Sequence, residues 1–137
     1  MGVKSSVLYS ALGAISIMGI VSSADAFALR QDRSQDMLSS FEKTGETLEC
    51  IPLNRVRDTD VLDDYAMLVE ISGGVMYLNE FEGRCPGLSR ERRYVHRSPA
   101  GRMCKGDYIN VFSSVGSVSA GCVLGAFERL EKIPGGK

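Results

Sequence analysis

The chain has 137 residues, 44% of them hydrophobic and 24% charged, with four cysteines, one histidine and no tryptophan. That length supports one domain and excludes a second substantial one, and a single histidine excludes any site that needs two. With 16 basic and 17 acidic side chains the formal net charge is −1, which argues against nucleic acid as a partner, because such proteins usually carry a basic excess.

Residues 1–26 read as a secretory signal peptide. Lys4 gives a short positive start, and Val7 to Val21 is apolar or small throughout. As a helix that run would rise about 22 Å, short of a hydrocarbon core of roughly 30 Å. Ala24-Asp25-Ala26 places small residues at the two positions a signal peptidase reads. Ala26-Phe27-Ala28 offers a second frame, and cleavage after Ala26 is preferred over cleavage after Ala28. An uncleaved membrane anchor is the weaker alternative. No cysteine follows the run closely, the first being Cys50, so a lipid anchor is disfavoured. What remains has no apolar run able to span a bilayer, and a periplasmic or secreted location is expected.

Residues 27–46 are polar and weakly helical, with a patchy stripe of Leu29, Met37, Leu38 and Phe41. They are expected to form an N-terminal arm or short helix ahead of a single compact domain at 47–132. A first strand is expected from Leu48 to Val56, with Asp58-Thr59-Asp60 and Asp63-Asp64 marking the turn region after it. Tyr65, Met67, Val69 and Ile71 then alternate with Ala66, Leu68 and Glu70, the period of a strand. Gly73-Gly74 signals a tight hairpin into a second alternating run, Val75 to Phe81. A loop with Cys85-Pro86-Gly87 spans Gly83 to Glu91, and a short strand is expected over Arg92 to Arg97. After a turn at Ser98 to Gly101, strands are expected at Asp107 to Ser113 and Cys122 to Leu130, with a small-residue loop at Gly116 to Ala120 between them. Residues 133–137 read as a frayed tail. About six short strands with turn signals between them predict a mostly β fold, a small barrel or sandwich.

Four cysteines in a short exported chain point to disulfides. Zinc ligands usually come as pairs two to four residues apart, whereas no two of Cys50, Cys85, Cys104 and Cys122 are that close and His96 is the only histidine. Three connectivities exist. The preferred one is Cys50–Cys122, joining the first and last strands, with Cys85–Cys104 closing a loop rich in Arg, Pro and Gly.

The near-zero charge hides a division. Arg57 to Glu82 holds seven acids and one base, a net of −6, and Arg84 to Lys105 holds seven bases and one acid, a net of +6. Arg90, Arg92, Arg93, Arg97 and Arg102 cluster within the second block as a candidate anion-binding face for a phosphate, a lipid headgroup or an acidic polysaccharide. The plainer reading, and the preferred one, is that the two blocks lie side by side and neutralise each other across strands.

No catalytic or metal constellation emerges, and no cofactor motif. His96 titrates near neutrality when unperturbed, but between Val95 and Arg97 it reads as an exposed strand residue. Ser40-Phe41-Glu42-Lys43 and Lys43-Thr44-Gly45 match two motifs of penicillin-binding enzymes, yet they share one lysine in a chain too short for that fold, a coincidence. Asp58, Asp60, Asp63 and Asp64 suggest calcium only weakly, since the loop lacks the glycine and glutamate of an EF-hand; a turn with solvated acids is preferred. Asn79 is odd among apolar neighbours and reads as a cap for loop backbone in preference to a ligand contact. Gly125 in the last strand reads as a bulge or a close backbone approach.

The ordered set Cys50-Ile51-Pro52-Leu53, Asp63-Asp64, Tyr77-Leu78-Asn79, Cys85-Pro86-Gly87-Leu88, Cys104-Lys105-Gly106-Asp107 and Cys122-Val123-Leu124-Gly125-Ala126-Phe127 resembles a family of small exported proteobacterial proteins classed as a domain of unknown function. The resemblance covers about residues 47–130 and implies a Gram-negative source and a periplasmic or secreted location. It carries no activity. The expectation is therefore a cell-envelope protein acting as a non-enzymatic binding or structural module, its partner an envelope protein or an anionic ligand. Two alternatives stand beside it: a small hydrolase using acidic residues, and an anion binder using Arg90 to Arg102.

Overall fold

The computed structural model describes residues 35–135. The signal peptide expected at 1–26 lies outside the described residues, as do 27–34 of the arm and the last two residues of the tail. Residues 35–39 are helical. Strands β1 (Phe41–Leu48) and β2 (Cys50–Pro52) follow, then a 3-10 turn (Leu53–Arg55), β3 (Val56–Val61), β4 (Ala66–Ile71) and β5 (Val75–Glu80). One helical turn, α1 (Leu88–Glu91), precedes β6 (Tyr94–His96), β7 (Arg102–Cys104), β8 (Tyr108–Phe112), β9 (Val118–Val123) and β10 (Phe127–Lys132).

Among the described residues the fold is mostly β, as its turn-punctuated runs predict, but with ten strands in three antiparallel sheets instead of about six, and with no closed barrel. A five-stranded sheet runs β1-β10-β5-β4-β3, a two-stranded ribbon pairs β2 with β7, and a three-stranded sheet runs β6-β8-β9. The β4–β5 hairpin is the centre. Gly73 and Gly74 both have positive φ, 97° and 76°, the backbone a two-residue turn needs to match strand twist. The pairs Met67↔Asn79, Leu68↔Leu78 and Val69↔Tyr77 follow from it. Period-two alternation then splits the hairpin between two cores. Met67, Val69, Ile71, Tyr77 and Phe81 join Ile51, Met103, Ile109, Val111, Cys122 and Phe127 in the main cluster between the sheets. Leu68 and Leu78 face the other way and meet Leu62 and Leu130, with Met37, Leu38 and Phe41 packed over them. The arm is therefore shorter than the composition suggests: its last part is β1, an edge strand paired with β10 from Phe41↔Lys132 to Leu48↔Phe127.

Other boundaries shift for the same reason, namely that pairing partners override local composition. The run Leu48 to Val56 breaks at the 3-10 turn, Asp58 to Asp60 lie within β3 and not in a turn, and the small-residue stretch before Cys122 is paired as β9. The expected last strand is two strands separated by residues 124–126.

All four cysteines are bridged, as Cys50–Cys104 and Cys85–Cys122. The pairing inferred from chain order is thus overturned. Cys50 and Cys104 sit directly opposite each other in the β2–β7 ribbon, a three-residue strand too short to register as a period. Cys122 points inward from β9 and meets the loop that carries Cys85, both buried. The first bridge closes a separation of 54 residues and the second one of 37.

Candidate functional site

The second core contact of interest is the junction between the five-stranded and three-stranded sheets. Each presents an edge strand there, β3 and β6. Tyr94 of β6 donates its hydroxyl to Thr59 Oγ1 of β3 at 2.7 Å. Burial, with a smaller contribution from the Asp58 charge, pushes the phenol upward against the pull of Thr59, so it stays protonated as a donor. Arg92 caps α1 in a left-handed conformation, φ 50°, which swings its side chain across to β3, where Nη2 donates to the Val61 carbonyl at 2.6 Å.

Beside this junction lies an open cleft of about 570 Å³. It is lined by the basic Arg92 and Arg93, by Thr59 and Tyr94, by the apolar Val95 and Phe112, and by Ser113 and Gly116 of the β8–β9 turn. That turn is held by Ser113 N–H to Ser117 O and Gly116 N–H to Ser113 O, each 2.9 Å. No carboxylate is among the lining residues. The cleft brings together Arg92 and Arg93 of the five arginines singled out in the sequence. It does not include Arg90, whose Nε is 3.1 Å from the Glu91 carboxylate, nor Arg97, which follows β6, nor Arg102, which opens β7.

Cross-strand neutralisation of the two charge blocks is not what forms. Among the described residues the one ion pair between them is Arg84–Asp64, 3.1 Å. Arg92, Arg93, Arg97, Arg102 and Lys105 have no carboxylate within 4.0 Å among the described residues. The acids are occupied otherwise. Asp58 Oδ1 accepts the Thr59 N–H, and Asp63 Oδ1 accepts those of Tyr65 and Ala66. Asp64 accepts from the Ser89 N–H and from Arg84. Burial raises the Asp64 carboxyl, but the Ser89 bonds and Arg84 outweigh it and hold the group below its usual value. Asp63 and Asp64 are turn-makers and not merely solvated, whereas Asp58 lies within β3. Lys43, the residue shared by the two enzyme-like motifs, lies 3.2 Å from Glu80 and 3.1 Å from Glu128.

His96 is not the exposed strand residue its neighbours suggested. Its side chain is 5% exposed, and Nε2 lies 2.9 Å from Asp107 Oδ2. The same oxygen accepts the Cys104 N–H at 2.8 Å. Desolvation raises the Asp107 carboxyl, but the Cys104 N–H and His96 together hold it below the usual carboxylate range. The group is ionised near neutrality and His96 Nε2 is the donor. His96 Nδ1 is buried and has no hydrogen-bond partner among the described residues. The pair ties β6 to the β7–β8 turn beside the Cys50–Cys104 bridge.

Asn79 is fully buried and does what an inward amide must. Nδ2 donates to the Gly125 carbonyl at 2.8 Å, and Oδ1 accepts the Gly125 N–H at 3.2 Å. A Cβ at position 125 would collide with the Glu80 carbonyl oxygen, which is the close approach the glycine suggested. Both residues belong to the scaffold, not the cleft.

Fold and cleft define a small, disulfide-stapled, mostly β domain with one basic, hydroxyl-lined recess. No protein-family model matches the chain, and neither does any curated protein or solved structure. Two disulfides suggest an oxidising extracellular compartment. No helix among the described residues is long and apolar enough to cross a membrane.

Proposed function

We propose that the protein is an exported binding module of a Gram-negative cell envelope, periplasmic or secreted, that holds an anionic ligand in the Arg92–Arg93 cleft without catalysing a reaction on it. The observation that carries this is Arg93: it lines the recess, its backbone carbonyl accepts the Phe112 N–H, and its guanidinium makes no ion pair or hydrogen bond among the described residues. A guanidinium in that position offers a planar fork suited to phosphate or carboxylate oxygens. Arg92 adds a second charge, and the Thr59, Tyr94 and Ser113 hydroxyls add polar contacts. The signal-like leader, the two bridges and the resemblance to small exported proteobacterial proteins support the location. The hydrolase alternative has no carboxylate at the cleft to support it.

The test is calorimetric titration of protein exported by a bacterial host, disulfides intact, with inorganic phosphate and with dextran sulfate. Binding should weaken steadily with added salt, and Arg93→Gln should weaken it about fivefold. Binding insensitive to both salt and Arg93→Gln would overturn the proposal.

A further inference from the structure

The β8–β9 turn that rims the cleft carries Val115 at its tip, 86% exposed, with Val118 57% exposed just behind it. Strand register extends this apolar surface. Val118 lies opposite Phe112, and Tyr108, 67% exposed, lies opposite Val123. On the adjoining strand Val95, 40% exposed, is on the same face and also lines the cleft. Scattered exposed valines are ordinary. Here they are gathered by one sheet face and one turn, and the chain from Tyr108 to Phe127 contains no charged side chain. Arg92 and Arg93 line the same recess as Val95, Phe112 and Gly116 of that uncharged face and turn.

We infer that this hairpin tip is a membrane-docking device: Val115 enters the boundary between headgroups and acyl chains of an anionic bilayer while Arg92 and Arg93 hold lipid phosphates. The inference rests on the anion-binding role of the cleft and names the source of the anion. A bilayer surface is the occupant that fits because reversible attachment takes two signals, a modest apolar insertion and an electrostatic contact. The turn supplies the first and the arginines the second, with no carboxylate between them to repel the lipid. Two backbone bonds, Ser113 N–H to Ser117 O and Gly116 N–H to Ser113 O, close the base of the turn and lower the number of peptide groups that its tip must desolvate at the headgroup boundary.

The experiment exploits the absence of tryptophan from the chain. Val115→Trp places a single indole at an exposed tip, and circular dichroism confirms that the fold is kept. With vesicles of phosphatidylglycerol and phosphatidylcholine the emission should shift to the blue and be quenched by brominated acyl chains; pure phosphatidylcholine should leave it unchanged. In co-sedimentation with the anionic vesicles, Val115→Asp should weaken binding about tenfold and Arg93→Gln about fivefold. Unshifted emission in the presence of anionic vesicles, or binding indifferent to Val115→Asp, overturns the membrane inference. Glycerol 3-phosphate separates the two proposals. If it binds through Arg93 while vesicles do not, the cleft takes a soluble anion and the membrane inference alone fails. If neither binds, both fail.

Discussion

Asn79 and Gly125 are a matched pair in which each explains the other. The glycine lets residue 125 lie against the Glu80 backbone, and the amide then satisfies both peptide groups that this approach buries. Asn79→Ala leaves a donor and an acceptor of Gly125 without partners, and should lower unfolding free energy by about 2–4 kcal/mol. Gly125→Ala forces the strands apart and should cost about 3 kcal/mol or more. Urea titration reads both, and a change below about 1 kcal/mol in either would contradict the close-packed junction. Asp107 supplies a pH dependence. Its carboxyl is held below the ordinary value in the fold, so its contribution is present above the unfolded pKa and is lost as pH falls through the folded one. Between about pH 5 and pH 2 the parent should lose stability more steeply than Asp107→Asn. Asp64 titrates in the same direction in both proteins, so the difference between them isolates Asp107. Parallel curves would mean that Asp107 gains nothing from Cys104 and His96.

At the scale of elements, the two bridges act in different places: Cys85–Cys122 ties the loop before α1 to β9, and Cys50–Cys104 spans the β2–β7 ribbon. That ribbon is three residues long on each side, and the bridge keeps its two strands joined even in the unfolded chain. Loops of 54 and 37 residues correspond to about 4 kcal/mol each in the chain-entropy model. The double replacements Cys50→Ser with Cys104→Ser, and Cys85→Ser with Cys122→Ser, should each cost about that much, a large share of a small domain's net stability. Connectivity has a direct check. A tryptic digest without reductant should join the peptide 44–55 to 103–105, and 85–90 to 106–129. Joining 44–55 to 106–129 would restore the pairing that chain order suggested and refute the ribbon.

Over the whole molecule, the formal charge of −1 conceals a surface sorted by sign. Several bases of the second block stand without carboxylate partners while acids of the first are turned onto backbone amides. The protein should therefore be retained on a sulfated matrix near neutral pH at low salt, although its sequence pI is about 5.8, and should elute as salt rises. Flow-through at low salt would show that the bases are screened after all. The parts of this organisation that could be read in the sequence are those with a local cause. The β4–β5 hairpin was legible from alternation and Gly73-Gly74, and the roles of Asn79 and Gly125 from one polar and one small residue out of place. The rest depends on partners distant along the chain. Nothing in Phe41–Leu48 marks it as a strand until β10 lies beside it. The cleft draws Thr59, Arg93 and Gly116 from three separate stretches, so composition could flag the arginines but not say which of them converge. His96 read as exposed because it sits between Val95 and Arg97 amid positive charge; the Asp107 that pairs with it is brought there by the β7–β8 turn.

Arg92 leads a second life at the edge of a sheet. Unpaired strand edges invite pairing with another copy of the same strand, the first step of aggregation. On β3 two backbone groups are taken up by side chains: the Thr59 amide by its own neighbour Asp58, and the Val61 carbonyl by Arg92. The residue that charges the recess is thus also a stopper against self-association. Replacing it removes a proposed ligand contact and frees the Val61 carbonyl in one step, so an Arg92→Ala protein is expected to form oligomers on storage while Arg93→Gln stays monodisperse. A variant made to abolish the proposed anion contact should therefore alter Arg93 and leave Arg92 in place as the plug of β3.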